Sequence, residues 1–376
     1  MKKKYDYFLK QLLTFMCIVL TSTLSYAQTI SPTSFSKIVF FGDSLSDNGN
    51  LYYYLLGFLP KSPPYYQGRF TNGPAWSEFV DQYYLNKNSV QAVNYAVGGQ
   101  TAILHNPTGG FLPYTLTMSL DSYLLHTVLR DRSDTLFIIW VGANDYLPGF
   151  SNLDQLSTNV IDAIKATIDS LIYHGGKSFL VINLPDLAKT PFAKTTAYEA
   201  DLKAATTVHN LKLDAAITEL QNGHKGINID LFNSNKLLTD FMENTEYYNN
   251  KYNTHVSNTT EPCWKGGYTL ANANNKITEE TIARQIDNHL HSKMFTNAKT
   301  NHLDSGAIAH FIASNPALLE SYKVSENENT GLKRCIDPDA YVFWDGVHPS
   351  AVLHMMVSKN IIEFIDQHYT PANPGG

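Results

Sequence analysis

The chain has 376 residues, 43% hydrophobic and 12% aromatic, enough to bury one large core or two small ones. That composition excludes a disordered chain and a collagen-like or coiled-coil fibre. With 28 Lys and Arg against 34 Asp and Glu, the net charge of −6 is a poor match to phosphate backbones, so no nucleic-acid partner is expected.

Residues 1–27 read as an export signal. Lys2, Lys3, Lys4 and Lys10 give a basic start, an apolar run follows from Leu12 to Leu24, and Ser25-Tyr26-Ala27 supplies the small residues a signal peptidase needs. Cleavage is expected after about Ala27, which makes the protein secreted or periplasmic and leaves 28–376 as one domain. Cys17 departs with the signal, so the mature chain keeps Cys263 and Cys335. Two cysteines in an exported chain point to one disulfide, worth about 4 kcal/mol for a loop of roughly 70 residues.

Downstream, five short apolar runs have the look of buried strands: Lys37–Phe41, Val90–Ala96, Thr135–Val141, Ser178–Asn183 and Ile227–Phe232. Helical periodicity fills Pro74–Leu85, Leu153–Tyr173, Thr195–Leu220 and Pro349–Tyr369. Alternation of this kind predicts a parallel sheet covered on both faces, with functional groups at the carboxyl ends of the strands. The pattern breaks after Phe232. Residues 233–339 are polar and rich in Asn, with weak helical signals near Thr278–His291 and Ala307–Ser321, and they read as an insert closed by Cys263 and Cys335.

The chemistry gathers where strands end. Lys37–Phe41 runs into Gly42-Asp43-Ser44-Leu45-Ser46-Asp47-Asn48, a turn that sets a hydroxyl at a strand end beside free N–H groups. After the second strand, Gly98-Gly99 lets backbone approach a reacting group without side-chain obstruction. After the third, Asn144 can aim its amide into the same crevice. Near the end, Asp345 and His348 lie three apart on one turn, so the carboxylate can hold Nδ1–H while Nε2 acts as a general base. His289, His291, His302 and His310 lack the helix-borne His-Glu-x-x-His spacing and read as solvated rather than metal-binding. Leu51–Leu59, apolar and aromatic, reads either as an acyl-chain groove or lipid contact or as ordinary packing.

Taken together and in order, Phe41–Asp47, Asn94–Gly99, Gly142–Asp145 and Asp345–His348 resemble the blocks of the GDSL lipase/esterase family of the SGNH-hydrolase superfamily. The resemblance spans roughly Lys37 to the terminal helix. It implies the SGNH-hydrolase fold, a flavodoxin-like three-layer α/β/α sandwich around a central parallel five-stranded sheet. It also implies a nucleophile at Ser44, a triad completed by Asp345 and His348, and an oxyanion hole of Ser44 N–H, Gly99 N–H and the Asn144 amide. No cofactor or metal is implied. Spacing leaves Gly98 and Gly99 open; Gly99 is favoured because the family's donor is followed by a polar residue and then Thr, here Gln100 and Thr101.

Within the family, Phe41–Asn50 and Asn72–Trp76 resemble secreted bacterial lysophospholipases, phospholipases A and glycerophospholipid:cholesterol acyltransferases. That narrower likeness implies a phospholipid or lysophospholipid substrate, transient contact with a membrane surface, and cholesterol as an acyl acceptor beside water. Carbohydrate, aryl and short-chain esters are the alternative. In some acyltransferase relatives a protease nicks a disulfide-closed loop to raise activity, and the 263–335 loop is a candidate for the same activation.

Overall fold

Branched and aromatic side chains fill positions 38–41, 136–141 and 179–182 without polar interruption, as strands covered on two faces require. The computed structural model describes residues 34–104, 115–265, 277–294, 303–326 and 331–372, all within one compact unit. The expected signal at 1–27 lies outside them. Strands β1 (Lys37–Gly42), β2 (Gln91–Asn94), β3 (Thr135–Trp140), β4 (Ser178–Ile182) and β5 (Asn228–Phe232) form one parallel sheet in the order 2-1-3-4-5. This is the flavodoxin-like order, whose switch point between β1 and β3 opens a crevice at the carboxyl ends.

The longer helices are α1 (Trp76–Asn88), α2 (Leu116–His126), α3 (Leu153–Tyr173), α4 (Glu199–Gly223), α5 (Ser234–Glu243), α6 (Glu279–Met294), α7 (Ser305–Ser314), α8 (Pro316–Ser325) and α9 (Ala351–His368). The period-2 alternation of each strand sorts its side chains onto two faces. Val39, Phe41, Phe137, Ile139 and Val181 pack against α2, α3 and α4. Ile38, Phe40, Leu136, Ile138 and Leu180 pack against α1 and α9. The result is the expected three-layer α/β/α sandwich. In α3, Val160, Ile161, Ile164, Ile168 and Leu171 recur at helical spacing and are all buried, and Asn152 caps the first turn by accepting from Gln155 N–H.

Departures from the expected elements have local causes. The helix expected from Thr195 starts at Glu199, because Thr190 caps a separate short helix, Pro191–Thr195, with Pro191 in its first turn. The helical signal at Ala307–Ser321 is two helices, since Asn315 caps α8 at Ala317 and Leu318 N–H and Pro316 begins it. Helix α2 stands where no helix was expected.

The insert is also less of an excursion than its polarity suggests. Its first part forms α5 and Thr245–Tyr252, and Phe241 joins Val342, Phe343, Leu353 and Met356 in a buried cluster beside α9. Further on, Ile282, Ile286 and Leu290 of α6 and Ile308 and Ile312 of α7 close over Leu51, Leu55, Leu59 and Phe70. Cys263 and Cys335 are bonded, with Cα atoms 4.8 Å apart, next to the antiparallel pair Trp264–Lys265 and Lys333–Arg334. No helix among the described residues is long and apolar enough to cross a membrane.

Candidate active site

The turn after β1 is built by Asp43. Its carboxylate accepts Leu45 N–H at 3.0 Å, and its carbonyl accepts Ser46 N–H and Asp47 N–H, which curls the chain tightly at the sheet edge and leaves Ser44 at the crest. Asp47 ties this turn to the next. It accepts N–H groups from Gly49 (2.7 Å), Asn50 (2.5 Å), Leu51 (3.1 Å) and Gly98 (2.7 Å). Burial pushes the Asp43 carboxyl up to about 7 against the opposing Leu45 N–H and His348 charge, and pushes Asp47 up to about 6 against its N–H donors. Asn94, closing β2, donates to the Ser46 carbonyl at 2.7 Å and accepts Ala96 N–H at 2.8 Å.

The turn before α9 meets this crest from the other end of the chain. Asp345 Oδ1 accepts Val347 N–H at 2.8 Å and His348 N–H at 2.7 Å, so the carboxylate is anchored by its own loop. His348 Nδ1 lies 2.8 Å from Asp345 Oδ2, and His348 Nε2 lies 2.9 Å from Ser44 Oγ. A neutral imidazole that donates Nδ1–H to Asp345 therefore offers its Nε2 lone pair to the serine hydroxyl. Phe70 packs on the ring, with centroids 5.1 Å apart, and Tyr65 donates its hydroxyl to Asp345 Oδ2 at 2.5 Å. Burial works to raise the Asp345 carboxyl, but the His348 charge, the His348 hydrogen bonds and the Tyr65 hydroxyl outweigh it and hold Asp345 below its usual range.

Gly98 N–H is committed to Asp47, whereas Ser44 N–H and Gly99 N–H have no partner among the described residues. Gly99 sits at φ +76°, where an added Cβ would lie 2.5 Å from Leu318 Cδ1, so both conformation and space demand glycine. The insert reaches this point directly, with Asn315 Nδ2 donating to the Gly99 carbonyl at 3.0 Å. Asn144, 2% exposed, spends one amide hydrogen on the Gln100 carbonyl at 2.9 Å and keeps a second. Its neighbour Asp145 accepts Ala102 N–H and Ile103 N–H, pinning the loop that follows Gly99.

Ser44, Asn144 and His348 line a pocket whose walls also include Leu237, Leu238 and Phe241 of α5 and Leu353, Met356 and Val357 of α9. His354 also lines it. Its Nδ1 accepts Trp76 N–H at 3.2 Å, and burial, with the nearby His348, pushes the imidazole down to about 3, so the ring is neutral. The Leu51–Leu59 segment is elsewhere. Its leucines 51, 55 and 59 are buried against α6, α7 and α8, Tyr53 and Tyr54 are exposed, and none of its residues lines the pocket. His289 Nε2 approaches the Leu56 carbonyl at 3.0 Å and His310 pairs with Glu279 at 3.1 Å, while His302 lies outside the described residues. Tyr65 and Asn315 escape a reading by motif, while Asp47 lies in the Phe41–Asp47 block without a role assigned to it there. Of the first two, only Asn315 carries a local sign, the Asn-Pro start of a helix.

A family model described as GDSL-like lipase/acylhydrolase matches residues 38–361. The chain is 30% identical over 358 residues to the phosphatidylcholine-sterol acyltransferase of Aeromonas hydrophila, covering 94% of this chain and 97% of that one. It is 31% identical over 239 residues to the secreted effector protein SseJ of Salmonella typhimurium, covering 61% of this chain and 55% of the effector. Among solved structures, the aryl esterase of M. smegmatis is similar over 54% of this chain and 85% of its own, at 18% identity and a TM-score of 0.36.

Proposed function

The chain belongs to the GDSL-like lipase/acylhydrolase family, and from that premise we propose that it hydrolyses lipid carboxylic esters through an acyl-enzyme on Ser44. The observation that carries this reading is the 2.9 Å approach of His348 Nε2 to Ser44 Oγ at the end of a largely apolar pocket. In the first step Ser44 Oγ bonds to the ester carbonyl carbon as its proton passes to His348 Nε2. The imidazolium is held by the buried Asp345, and the negative oxygen is received by Ser44 N–H, Gly99 N–H and the spare Asn144 N–H. Collapse breaks the bond to the alkoxy oxygen, which leaves with the proton from His348. Water or another alcohol then enters and bonds to the acyl carbon as its proton passes to His348, and the bond to Ser44 Oγ breaks as His348 returns that proton to Ser44, releasing the acid or a new ester.

The substrate in this proposal is a phospholipid or lysophospholipid at a membrane surface, with a sterol hydroxyl competing with water as acceptor. The apolar pocket supports the lipid class, and the similarity to a phosphatidylcholine-sterol acyltransferase supports the acceptor. Export after Ala27 and activation by a protease acting on the 263–335 loop belong to the same reading. It is tested by incubating intact and protease-nicked protein with mono- and diacyl phosphatidylcholine, with and without cholesterol, and identifying every product. Released fatty acid and sterol ester are expected. Turnover confined to acetylated sugars or aryl acetates would move the reading to the short-chain alternative, and failure of a fluorophosphonate to label Ser44 would overturn the mechanism.

A further inference from the structure

The pocket at Ser44 is longer than the ester bond requires. On α9 its wall is Leu353, Met356, Val357 and Asn360, residues spaced three or four apart and so on one helical face. From Leu353 to Asn360 this face runs about two turns, roughly 11 Å, away from His348. Opposite stand Leu237, Leu238 and Phe241 of α5. The distal end is polar: Tyr248 closes one side, and the Asn360 amide donates to Tyr252 Oη and the Met356 carbonyl, each at 2.8 Å.

We propose that this channel between α5 and α9 holds the acyl chain of the acyl-enzyme, and that Leu238 and Val357 set the chain length it accepts. The inference rests on the serine-esterase reading above. Once the carbonyl carbon is bonded to Ser44 Oγ and its oxygen faces Gly99 and Asn144, the alkyl chain needs an apolar path that starts at those residues. This pocket is lined both by Ser44, Asn144 and His348 and by the apolar faces of α5 and α9. The leucines of the other apolar stretch near the nucleophile, Leu51, Leu55 and Leu59, are already packed against the insert helices. Each methylene taken from water into such walls raises kcat/KM about fourfold. A Trp that blocks room for two methylenes therefore lowers the long-chain to short-chain ratio more than tenfold.

The test measures kcat/KM for 4-nitrophenyl esters from butyrate to palmitate with wild type, Val357→Trp, Leu238→Trp and the surface control Leu129→Ala, a residue 96% exposed. Both Trp variants should move the optimum to shorter chains, and the control should keep the wild-type ratio. An unchanged ratio in Trp variants whose Ser44 still reacts with a fluorophosphonate would overturn the proposal. A second measurement needs no substitution: a long-chain phosphonate with a terminal diazirine, bound to wild-type Ser44, should crosslink to α5, α9 or Tyr248. Crosslinks to 51–59 or α6–α8 would also overturn it. Absence of phosphonate labelling in wild type would instead refute the serine-esterase reading itself.

Discussion

Replacing Asn144 by Ala removes two things that the structure keeps distinct. One amide hydrogen bonds the Gln100 carbonyl at 2.9 Å, and the other is free to meet a developing oxyanion. Loss of the first removes a hydrogen bond to the buried Gln100 carbonyl, which costs about 0.5–1.5 kcal/mol of stability. Loss of the second removes a donor from the transition state, about 2.7–4 kcal/mol or a 10²–10³-fold fall in kcat. Thermal unfolding reads the first effect, and saturation kinetics on a soluble butyrate ester read the second. A lowered melting temperature with kcat within threefold of wild type would mean that Asn144 merely braces the Gln100 loop, and the three-donor hole would be wrong.

Tyr65→Phe takes a donor from the buried Asp345 carboxylate and should cost about 1.5–3 kcal/mol at pH 7. Because Asp345 is held below its usual value, the stability it contributes is present above about pH 4 and lost as pH falls through the folded value. The deficit of the variant should therefore shrink once acid protonates Asp345, and a deficit by urea unfolding that stays constant from pH 7 through the whole acid limb of the stability curve would assign Tyr65 to packing alone. Asp43 has the opposite sign. Raised to about 7, it keeps a proton in the folded state between about pH 4 and pH 7 that the unfolded chain gives up, so stability declines as pH rises through that window. Asp43→Asn should flatten this decline by up to about 4 kcal/mol, and an unaltered pH slope would refute the burial argument. Cys335→Ser opens a loop whose ends are 72 residues apart and should lower stability by about 4 kcal/mol, seen as an earlier denaturant midpoint. A midpoint equal to that of the oxidised wild type would show that packing of the insert alone holds it.

The sheet is legible in the chain because all its strands except β2 are largely covered, so Thr135–Trp140 and Ser178–Ile182 read as continuous apolar runs with sharp ends. The turns at those ends are legible for a related reason. A polar turn directly after a buried strand has few places to go except the carboxyl edge, and Ser44, Gly99 and Asn144 were assigned from that rule together with the family resemblance. Partners supplied from afar are not legible. Tyr65 follows two prolines and reads as loop, yet its hydroxyl meets a carboxylate 280 residues on. The partner of Gly98 N–H is likewise distant, Asp47, 51 residues before it. The apolarity of Leu51–Leu59 declares that something covers it, but cannot say that the cover is α6–α8 rather than lipid.

Those distant partners concentrate on one point. Gly99 belongs to the rigid sheet edge through its neighbour Gly98, bound to Asp47, and to the insert through its carbonyl, bound to Asn315, with Leu318 against its Cα. Its N–H direction is therefore set jointly by two parts of the chain more than 200 residues apart. The insert therefore touches the site at the Gly99 backbone, while the Ser44 to His348 contact rests on turns of its own.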